Sequence, residues 1–220
     1  MKKVGLLLSG CGFNDGSEIH ESVISMLALD RAGVETVIMA PNIDQMHVIN
    51  HYTGQEMDEF RNVLVESSRI ARGNIKDMAE VTGNDLDALI IPGGFGVTKN
   101  LSDYAMAGPE CSVNPDVYRL VLELYLLKKP IGAICIAPVI MAKIFGEQDE
   151  SAEMTIGSDK LTSNDINTMG SKHIKCSVSE IIIDKDKKLV TTPAYMDAES
   201  IKVASEGIEK LVKQVLSMIE

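Results

Sequence analysis

The segment from Pro130 to Met141, PIGAICIAPVIM, constrains the possible folds of this 220-residue chain more than any other. Ile131 to Ile134 is a short apolar run typical of a buried parallel strand, and Pro138 stands where the first turn of a helix tolerates proline. Cys135 is therefore predicted on a sharp strand-to-helix turn, exposed at the carboxyl edge of a sheet. The helix N-terminus would lower the pKa of its thiol. The alternative is a buried, unreactive cysteine, which is common in apolar sequence.

The composition is that of a globular protein with a substantial core. Hydrophobic residues make up 45% of the chain and charged residues 24%, and the length fits one α/β domain over residues 1–220. The net charge of -11 disfavours binding to nucleic acid or to an anionic membrane surface. No apolar run is long enough to cross a bilayer.

The cysteines and the N-terminus both bear on the location of the protein. The four cysteines, at positions 11, 111, 135 and 176, show no disulfide-framework spacing. This pattern predicts reduced thiols and a cytoplasmic location. Lys2 and Lys3 followed by Val4 to Leu8 superficially resemble a lipoprotein signal, but the apolar run is shorter than a secretory signal requires. The same residues are predicted to form the first strand.

Strand and helix patterns alternate along the chain. The first unit is a strand over 3–8, a helix from Gly16 or Ser17 to Ala32, and a strand over 35–40. The apolar face of that helix is predicted to contain Ile19, Val23, Met26, Leu27 and Ala28 or Leu29. Further helices are predicted over 62–72, from Pro115 and over 200–219, with strands over 88–91 and 155–156 and a hairpin formed by 180–184 and 188–192. The pattern indicates a doubly wound α/β domain with a mostly parallel sheet and a late β-hairpin.

Three other groups of residues could form ligand sites, but none has convincing spacing. Gly10, Gly12 and Gly16 do not fit the dinucleotide fingerprint, because the third glycine is one position late. His47 and His51 could share a metal only on a helix, so a polar loop role is favoured. His173 with Cys176 is similarly weak. No metal and no cofactor is therefore predicted.

The glycines that follow the strand over 88–91 suggest a role beside Cys135. In Pro92-Gly93-Gly94-Phe95-Gly96 the backbone can turn sharply and present N–H groups. Parallel-sheet topology places this edge beside the Cys135 turn. The N–H groups of Gly94 and Ile136 could then form an oxyanion hole. The alternative is a tight turn with no other function.

Four segments together resemble the ElbB proteins, named for enhancing lycopene biosynthesis. These segments are IPGGFG, AICIAP, the opening LLLSGCGFNDGSEIHES and the late TTPAYM. ElbB proteins belong to the class I glutamine amidotransferase-like superfamily, with the PfpI-type proteases. The resemblance implies a flavodoxin-like fold, a homodimer, a cysteine nucleophile and a glyoxalase activity that needs neither metal nor glutathione. Its catalytic residues would be Cys135 and Glu21, the latter counted back from Arg31-Ala32-Gly33. Gly94 and Ile136 would be the oxyanion donors, and Gly93 and Glu18 would contact the substrate.

The chain departs from this superfamily immediately after the cysteine, where Ile136 replaces a histidine. A Cys-His-acid triad is therefore absent from the motif, and hydrolysis of peptides or glutamine is disfavoured. Glu21 and water would transfer the protons instead. That suits the conversion of glyoxal, a small aldehyde, to glycolate through a hemithioacetal. Two alternatives remain: a redox sensor with an oxidisable Cys135, and a module that binds a metabolite of isoprenoid supply.

The assignment of the acid depends on two glutamates of the first helix. Glu18 and Glu21 lie three residues apart and share a face, so either could reach the sheet edge. First-turn acids also stabilise the helix dipole, which explains Glu18 well. Glu21 lies among apolar positions, so its carboxyl is predicted to be buried with a raised pKa.

Overall fold

A seven-stranded sheet forms the centre of the computed structural model, which describes all 220 residues. Its order is β10-β11-β7-β6-β1-β2-β5, and every neighbouring pair is parallel except β10 with β11. This confirms the predicted mostly parallel sheet with a late hairpin. The strands are β1 (Lys3–Leu7), β2 (Glu35–Ala40), β3 (Ile49–Asn50), β4 (Gln55–Glu56), β5 (Lys76–Asp77), β6 (Ala88–Ile91), β7 (Ile131–Ile134), β8 (Glu153–Met154), β9 (Lys172–His173), β10 (Ile182–Asp184) and β11 (Leu189–Thr192).

Helices cover both faces of this sheet. Successive residues of a strand point to opposite faces, so in β1 Val4 and Leu6 join one core while Leu7 joins the other. The first core is closed by α1, α2 and α8, and the second by α5 and α6. The doubly wound prediction is thus confirmed. The helices are α1 (Ile19–Arg31), α2 (Val63–Ile70), α3 (Phe95–Lys99), α4 (Tyr104–Ala107), α5 (Pro115–Leu126), α6 (Pro138–Glu147), α7 (Lys160–Thr168) and α8 (Ile201–Ser217).

The long helices begin where their capping residues predict. The side chain of Asn62 accepts a hydrogen bond from the N–H of Val65 and so caps α2. Asn114 caps α5 ahead of a proline in its first turn, and Ser200 caps α8. Such caps satisfy N–H groups that have no partner within the helix. The apolar stripe of α8 is buried as predicted in its central turns, but its first member, Ile201, is half-exposed.

Helix α1 differs from its prediction in both start and orientation. It begins at Ile19, and Glu18 is its N-cap, so neither Gly16 nor Ser17 caps it. Ile19, Val23 and Leu27 are 41%, 48% and 43% exposed, so the predicted apolar face was wrong at these three positions. Its other members, Met26 and Ala28 or Leu29, are partly or fully buried. The buried face instead contains Glu21, Ser22, Ile24, Ser25 and Leu29. The two serine hydroxyls can be buried because each donates to the carbonyl four residues earlier.

The remaining differences lie in short or polar segments. The strand predicted at 155–156 lies instead at Glu153–Met154. Helix α7 was missed because its sequence, KLTSNDINT, has little apolar periodicity. Helices α3 and α4 were missed because four or five residues carry too little pattern to detect. None of the helices has both the length and the apolar content needed to cross a bilayer.

Candidate active site

Cys135 occupies the predicted sharp turn between β7 and α6. Its φ angle is 61°, in the left-handed region that non-glycine residues seldom adopt. The backbone is held there by the Cys135 N–H, which donates to the Thr192 carbonyl at 2.9 Å on the neighbouring strand β11. The residue is only 7% exposed, however, so the predicted exposed position is corrected to a buried one. This turn, held by strand β11, sets the direction of the thiol.

The Gly93-Gly94 turn after β6 packs against Cys135 as predicted. A Cβ atom on Gly93 would lie 2.5 Å from the Cβ of Cys135, so no larger residue fits without displacing the cysteine. Gly94 has a φ angle of 95°, and its close approach to the loop at Gly16 likewise leaves no room for a side chain. Gly94 and Ile136 line the same cavity as Cys135, and their N–H groups act to lower the pKa of its thiol. The predicted pair of oxyanion donors is therefore brought together at the thiol.

Glu21 reaches the same point from α1 and is fully buried. Its Oε2 accepts the Gly93 N–H at 2.8 Å, and its Oε1 accepts the Tyr195 N–H at 3.2 Å. Burial, and then the charge of Glu18, raise the pKa of Glu21 to about 8, although the Tyr195 and Gly93 N–H groups and the Cys135 thiol oppose the rise. The carboxyl is therefore largely protonated at neutral pH, as the sequence predicted.

The pKa of the Cys135 thiol differs from its prediction in direction. Burial, followed by the charge of Glu21, holds this pKa well above the ordinary value. The N–H groups of Gly94 and Ile136 favour the thiolate but do not outweigh burial. The expected lowering by the helix N-terminus was wrong, because that expectation assumed an exposed thiol. Glu21 and Cys135 form a buried pair in which the loss of one proton yields a single shared negative charge.

The two residues predicted to contact substrate have different surroundings. Glu18 lines the cavity beside Cys135, and its carboxylate accepts the Glu21 N–H at 2.7 Å as the cap of α1. The Gly93 N–H donates to the Glu21 carboxyl, so this N–H is not free to bind substrate. Gly93 therefore positions the carboxyl, and direct substrate contact by either residue stays a prediction.

A cavity of about 730 Å³ opens beside Cys135 and contains residues that the sequence did not single out. Tyr195 lines it, and its hydroxyl lies 2.8 Å from Nδ1 of His20, an exposed residue of α1. Lys99 enters it from the end of α3. The late TTPAYM segment contributes to the resemblance to ElbB proteins, but that resemblance implied no role for Tyr195. Nothing in the spacing of His20 or Lys99 indicated that they approach this cavity or its rim.

The other candidate residues have separate partners. His173 accepts the Ile156 N–H and lies 3.4 Å from the Ser163 hydroxyl. His51 follows the short strand β3, where its ring accepts the Asn14 N–H at 3.3 Å, and it is not on a helix with His47. Cys176 contacts the Thr155 hydroxyl. Neither histidine hydrogen-bonds with Cys135 or Glu21, so neither replaces the histidine missing at position 136.

Comparison with known proteins finds one matching family and several similar sequences. Residues 10–204 match the DJ-1/PfpI family. The rat ES1 protein homolog, mitochondrial, is 42% identical over 98% of this chain and 84% of its own length. The human glutamine amidotransferase-like class 1 domain-containing protein 3, mitochondrial, is 43% identical over 98% of this chain and 83% of its own.

A solved structure extends the similarity over the whole chain. The isoprenoid biosynthesis protein with amidotransferase-like domain from Ehrlichia chaffeensis superposes with a TM-score of 0.93 at 34% identity, covering 100% of both chains.

The relatives correct the predicted location. The rat and human proteins are both described as mitochondrial, so the cytoplasmic prediction was wrong for this family. The physical reason is that unpaired cysteines report a reducing environment and do not distinguish one reducing compartment from another.

Proposed function

This chain belongs to the DJ-1/PfpI family, and from that premise we propose that it is a glyoxalase of the ElbB type, which converts glyoxal to glycolate at Cys135. The proposal assigns every proton transfer to Glu21 and water, and none to a metal or a dissociable cofactor. The observation that carries it is the buried carboxyl of Glu21 beside the Cys135 thiol: a Cβ atom on Gly93 would lie 2.7 Å from Glu21 Oε2 and 2.9 Å from the Cys135 sulfur. Gly94 and Ile136 line the cavity at the same cysteine.

The first step is addition of the sulfur to one aldehyde carbon of glyoxal. The ionised Glu21 carboxylate takes the thiol proton as the carbon–sulfur bond forms. The carbonyl oxygen becomes an alkoxide, which the Gly94 and Ile136 N–H groups stabilise in the manner of an oxyanion hole. The alkoxide then takes the proton from Glu21, which gives a neutral hemithioacetal and regenerates the carboxylate.

The second step moves a proton between adjacent carbons. Glu21 removes the hydrogen of the sulfur-bearing carbon as the neighbouring carbonyl becomes an enolate, and water carries the hydroxyl proton of the sulfur-bearing carbon to the enolate oxygen. Glu21 then returns its proton to the neighbouring carbon, and the oxygen of the sulfur-bearing carbon becomes the thioester carbonyl. The product is a glycolyl thioester of Cys135. Water attacks the thioester carbonyl, glycolate leaves, and the thiol takes up the remaining proton. The overall change is glyoxal plus water to glycolic acid, so no oxidant or reductant is needed.

The position of Glu21 supports this chemistry over hydrolysis of a peptide. A peptidase must protonate an amine leaving group, usually through a histidine next to the nucleophile. Here Ile136 stands next to Cys135, and the neighbouring acid is a carboxyl with a pKa of about 8. Such a group can both accept and donate a proton near neutral pH.

Several finer predictions accompany the proposal. The resemblance to ElbB proteins implies a link to isoprenoid biosynthesis, and the Ehrlichia chaffeensis relative carries that description. A homodimer and a small aldehyde substrate, without nucleic acid or membrane partners, stay predictions of the same resemblance.

Carbon-13 NMR of labelled glyoxal incubated with the protein tests the proposal. We expect a glycolate signal that grows in proportion to protein concentration and reaches many turnovers per chain. Loss of glyoxal without glycolate would contradict it. Stable oxidation of Cys135 without turnover would favour the redox sensor instead.

A further inference from the structure

The cavity beside Cys135 is much larger than glyoxal requires. Its volume of about 730 Å³ lies in the range that encloses drug-sized ligands, whereas glyoxal has only two carbons and two oxygens. The reacting end of a ligand is fixed by Cys135 and the Gly94 and Ile136 N–H groups. The rest of the cavity is available to a longer molecule, and its walls indicate the chemistry of that molecule.

Those walls are mainly apolar, with one cation. Phe13 and Phe95 are each 49% exposed, and Met196 and Tyr104 add further apolar surface. Lys99 is the only lysine or arginine among the lining residues. An apolar wall of this kind favours a hydrocarbon chain, and the ammonium favours a negative charge along or at the end of it.

The ammonium of Lys99 has hydrogen-bonding capacity to spare. It donates to the Asn14 carbonyl at 2.8 Å and lies 5.6 Å from the centre of the Phe95 ring. It forms no salt bridge. An ammonium has three N–H donors, so two remain for a ligand.

The acidic residues of the cavity, in contrast, already have hydrogen-bond partners. The Glu18 carboxylate accepts the Glu21 N–H at 2.7 Å, and the Asp159 carboxylate accepts the Thr162 N–H at 2.8 Å. Each caps the N-terminus of a helix, which offsets its charge. Lys99 is therefore the charged group of the cavity without a charged or capping partner.

Helix α3 connects the two ends of the proposed ligand site. Gly94 precedes α3 and Lys99 is its last residue, and both line the cavity beside Cys135. We propose that the cavity binds oxo acids, in which the carbonyl lies at Cys135 and an apolar chain ends in a carboxylate held by Lys99. One ammonium balances one negative charge, so a carboxylate fits better than a phosphate dianion. The inference rests on the proposed carbonyl chemistry at Cys135, for which it names a substrate class.

A binding experiment tests this without turnover. The probes are methyl-ketone acids from 4-oxopentanoate to 7-oxooctanoate, each paired with its uncharged, isosteric carboxamide. Titration calorimetry gives the Kd of both members for the wild type, Lys99→Met, Lys99→Arg and Lys160→Met. Lys160 is an exposed lysine of α7 outside the cavity, so its variant controls for the change in net charge.

We expect at least one acid to bind the wild type about tenfold more tightly than its carboxamide, the usual effect of a hydrogen bond to a charged group. Lys99→Met should abolish this preference, while Lys99→Arg and Lys160→Met should retain it. If Lys99→Met does not fold, Lys99→Gln replaces it, because its amide can still donate to the Asn14 carbonyl. The proposal is overturned if no acid is preferred, or if the preference survives loss of the Lys99 charge. Failure of glyoxal turnover would instead overturn the proposed function and leave these Kd values unaffected.

Discussion

At the scale of residues, the decisive feature is a carboxyl and a thiol that share one buried environment. Burial raises the pKa of both groups, that of Glu21 to about 8 and that of Cys135 well above its ordinary value. At pH 7 most molecules thus hold both protons. The reactive form, which has lost one proton, becomes dominant only above about pH 8, because the shared charge must form on two buried groups.

The pH dependence of glyoxal turnover should report this ionisation. We expect kcat/KM to rise about tenfold per pH unit below pH 7 and to level off above pH 8.

Glu21→Gln should lose about two orders of magnitude in kcat/KM, the usual contribution of a positioned general base, and the rise near pH 8 should disappear. Glu18→Gln should cost much less, since Glu18 caps α1. If Glu18→Gln instead shows the large loss of kcat/KM, then Glu18 is the catalytic acid and the assignment to Glu21 is wrong.

Gly93 offers a test by crowding. In Gly93→Ala the added methyl would lie 2.7 Å from Glu21 Oε2 and 2.9 Å from the Cys135 sulfur. The pair must therefore separate, so we expect glyoxal turnover near background and a loss of stability of about 1–3 kcal/mol. Gly33→Ala is the control for activity: nothing lies within 4 Å of a Cβ there, although the φ angle of 68° strains alanine, so it should lose stability but keep its turnover. Kinetics and urea unfolding measure both variants, and an active Gly93→Ala would contradict the proposed geometry.

At the scale of elements, the sequence predicted strands and capped helices well but not how α1 is turned. Apolar residues at positions 19, 23 and 27 form a regular helical stripe, so periodicity alone selects that face. The structure buries the face that carries Glu21, Ser22 and Ser25 instead. The serines satisfy their hydroxyls within the helix, and Glu21 bonds to two loops. Partners that come from distant segments cannot be detected from local spacing.

The orientation of α1 makes opposite predictions for two leucines. Leu29 is fully buried and Leu27 is 43% exposed. We expect Leu29→Ala to lower the free energy of unfolding by about 2–5 kcal/mol. Leu27→Ala should change it by less than about 1 kcal/mol in the monomeric chain, since much of that side chain already contacts water. Urea unfolding of both variants decides; a larger cost at Leu27 than at Leu29 would contradict the observed orientation of α1.

At the scale of the whole molecule, the site forms where the loops after parallel strands meet at one edge of the sheet. The alternation of strands and helices predicted this edge, and the motifs predicted that Cys135, Gly94 and Ile136 would meet there. Tyr195 and Lys99 could not be predicted, because they reach the cavity from segments with no distinguishing spacing. The burial of Cys135 was also missed, since it depends on how closely α1 and the Gly93 turn cover the thiol.

The buried Glu21 carboxyl should also make the free energy of unfolding depend on pH. The pKa of Glu21 rises on folding from about 4.5 to about 8. Between these values the unfolded chain has released the proton and the folded chain still holds it. The stabilising contribution of the protonated carboxyl is therefore complete below about pH 4.5 and is lost as the pH rises through about 8, by about 1.4 kcal/mol per unit.

Urea unfolding at pH 5.5 and pH 7.5 measures this loss. The wild type should lose about 3 kcal/mol more than Glu21→Gln between the two values. The exposed Glu206→Gln should behave as the wild type does. Equal pH dependence in wild type and Glu21→Gln would contradict the raised pKa.

Replacement of single cysteines tests the central claim most directly. The measurement is kcat/KM for glyoxal at pH 8 in Cys135→Ala, Cys111→Ala and Cys176→Ala, each checked for folding. If Cys135 is the nucleophile, its variant falls to the background rate, because no hemithioacetal can form. The other two variants should keep substantial activity, since neither Cys111 nor Cys176 lines the cavity beside Cys135. Full activity in Cys135→Ala would contradict the account.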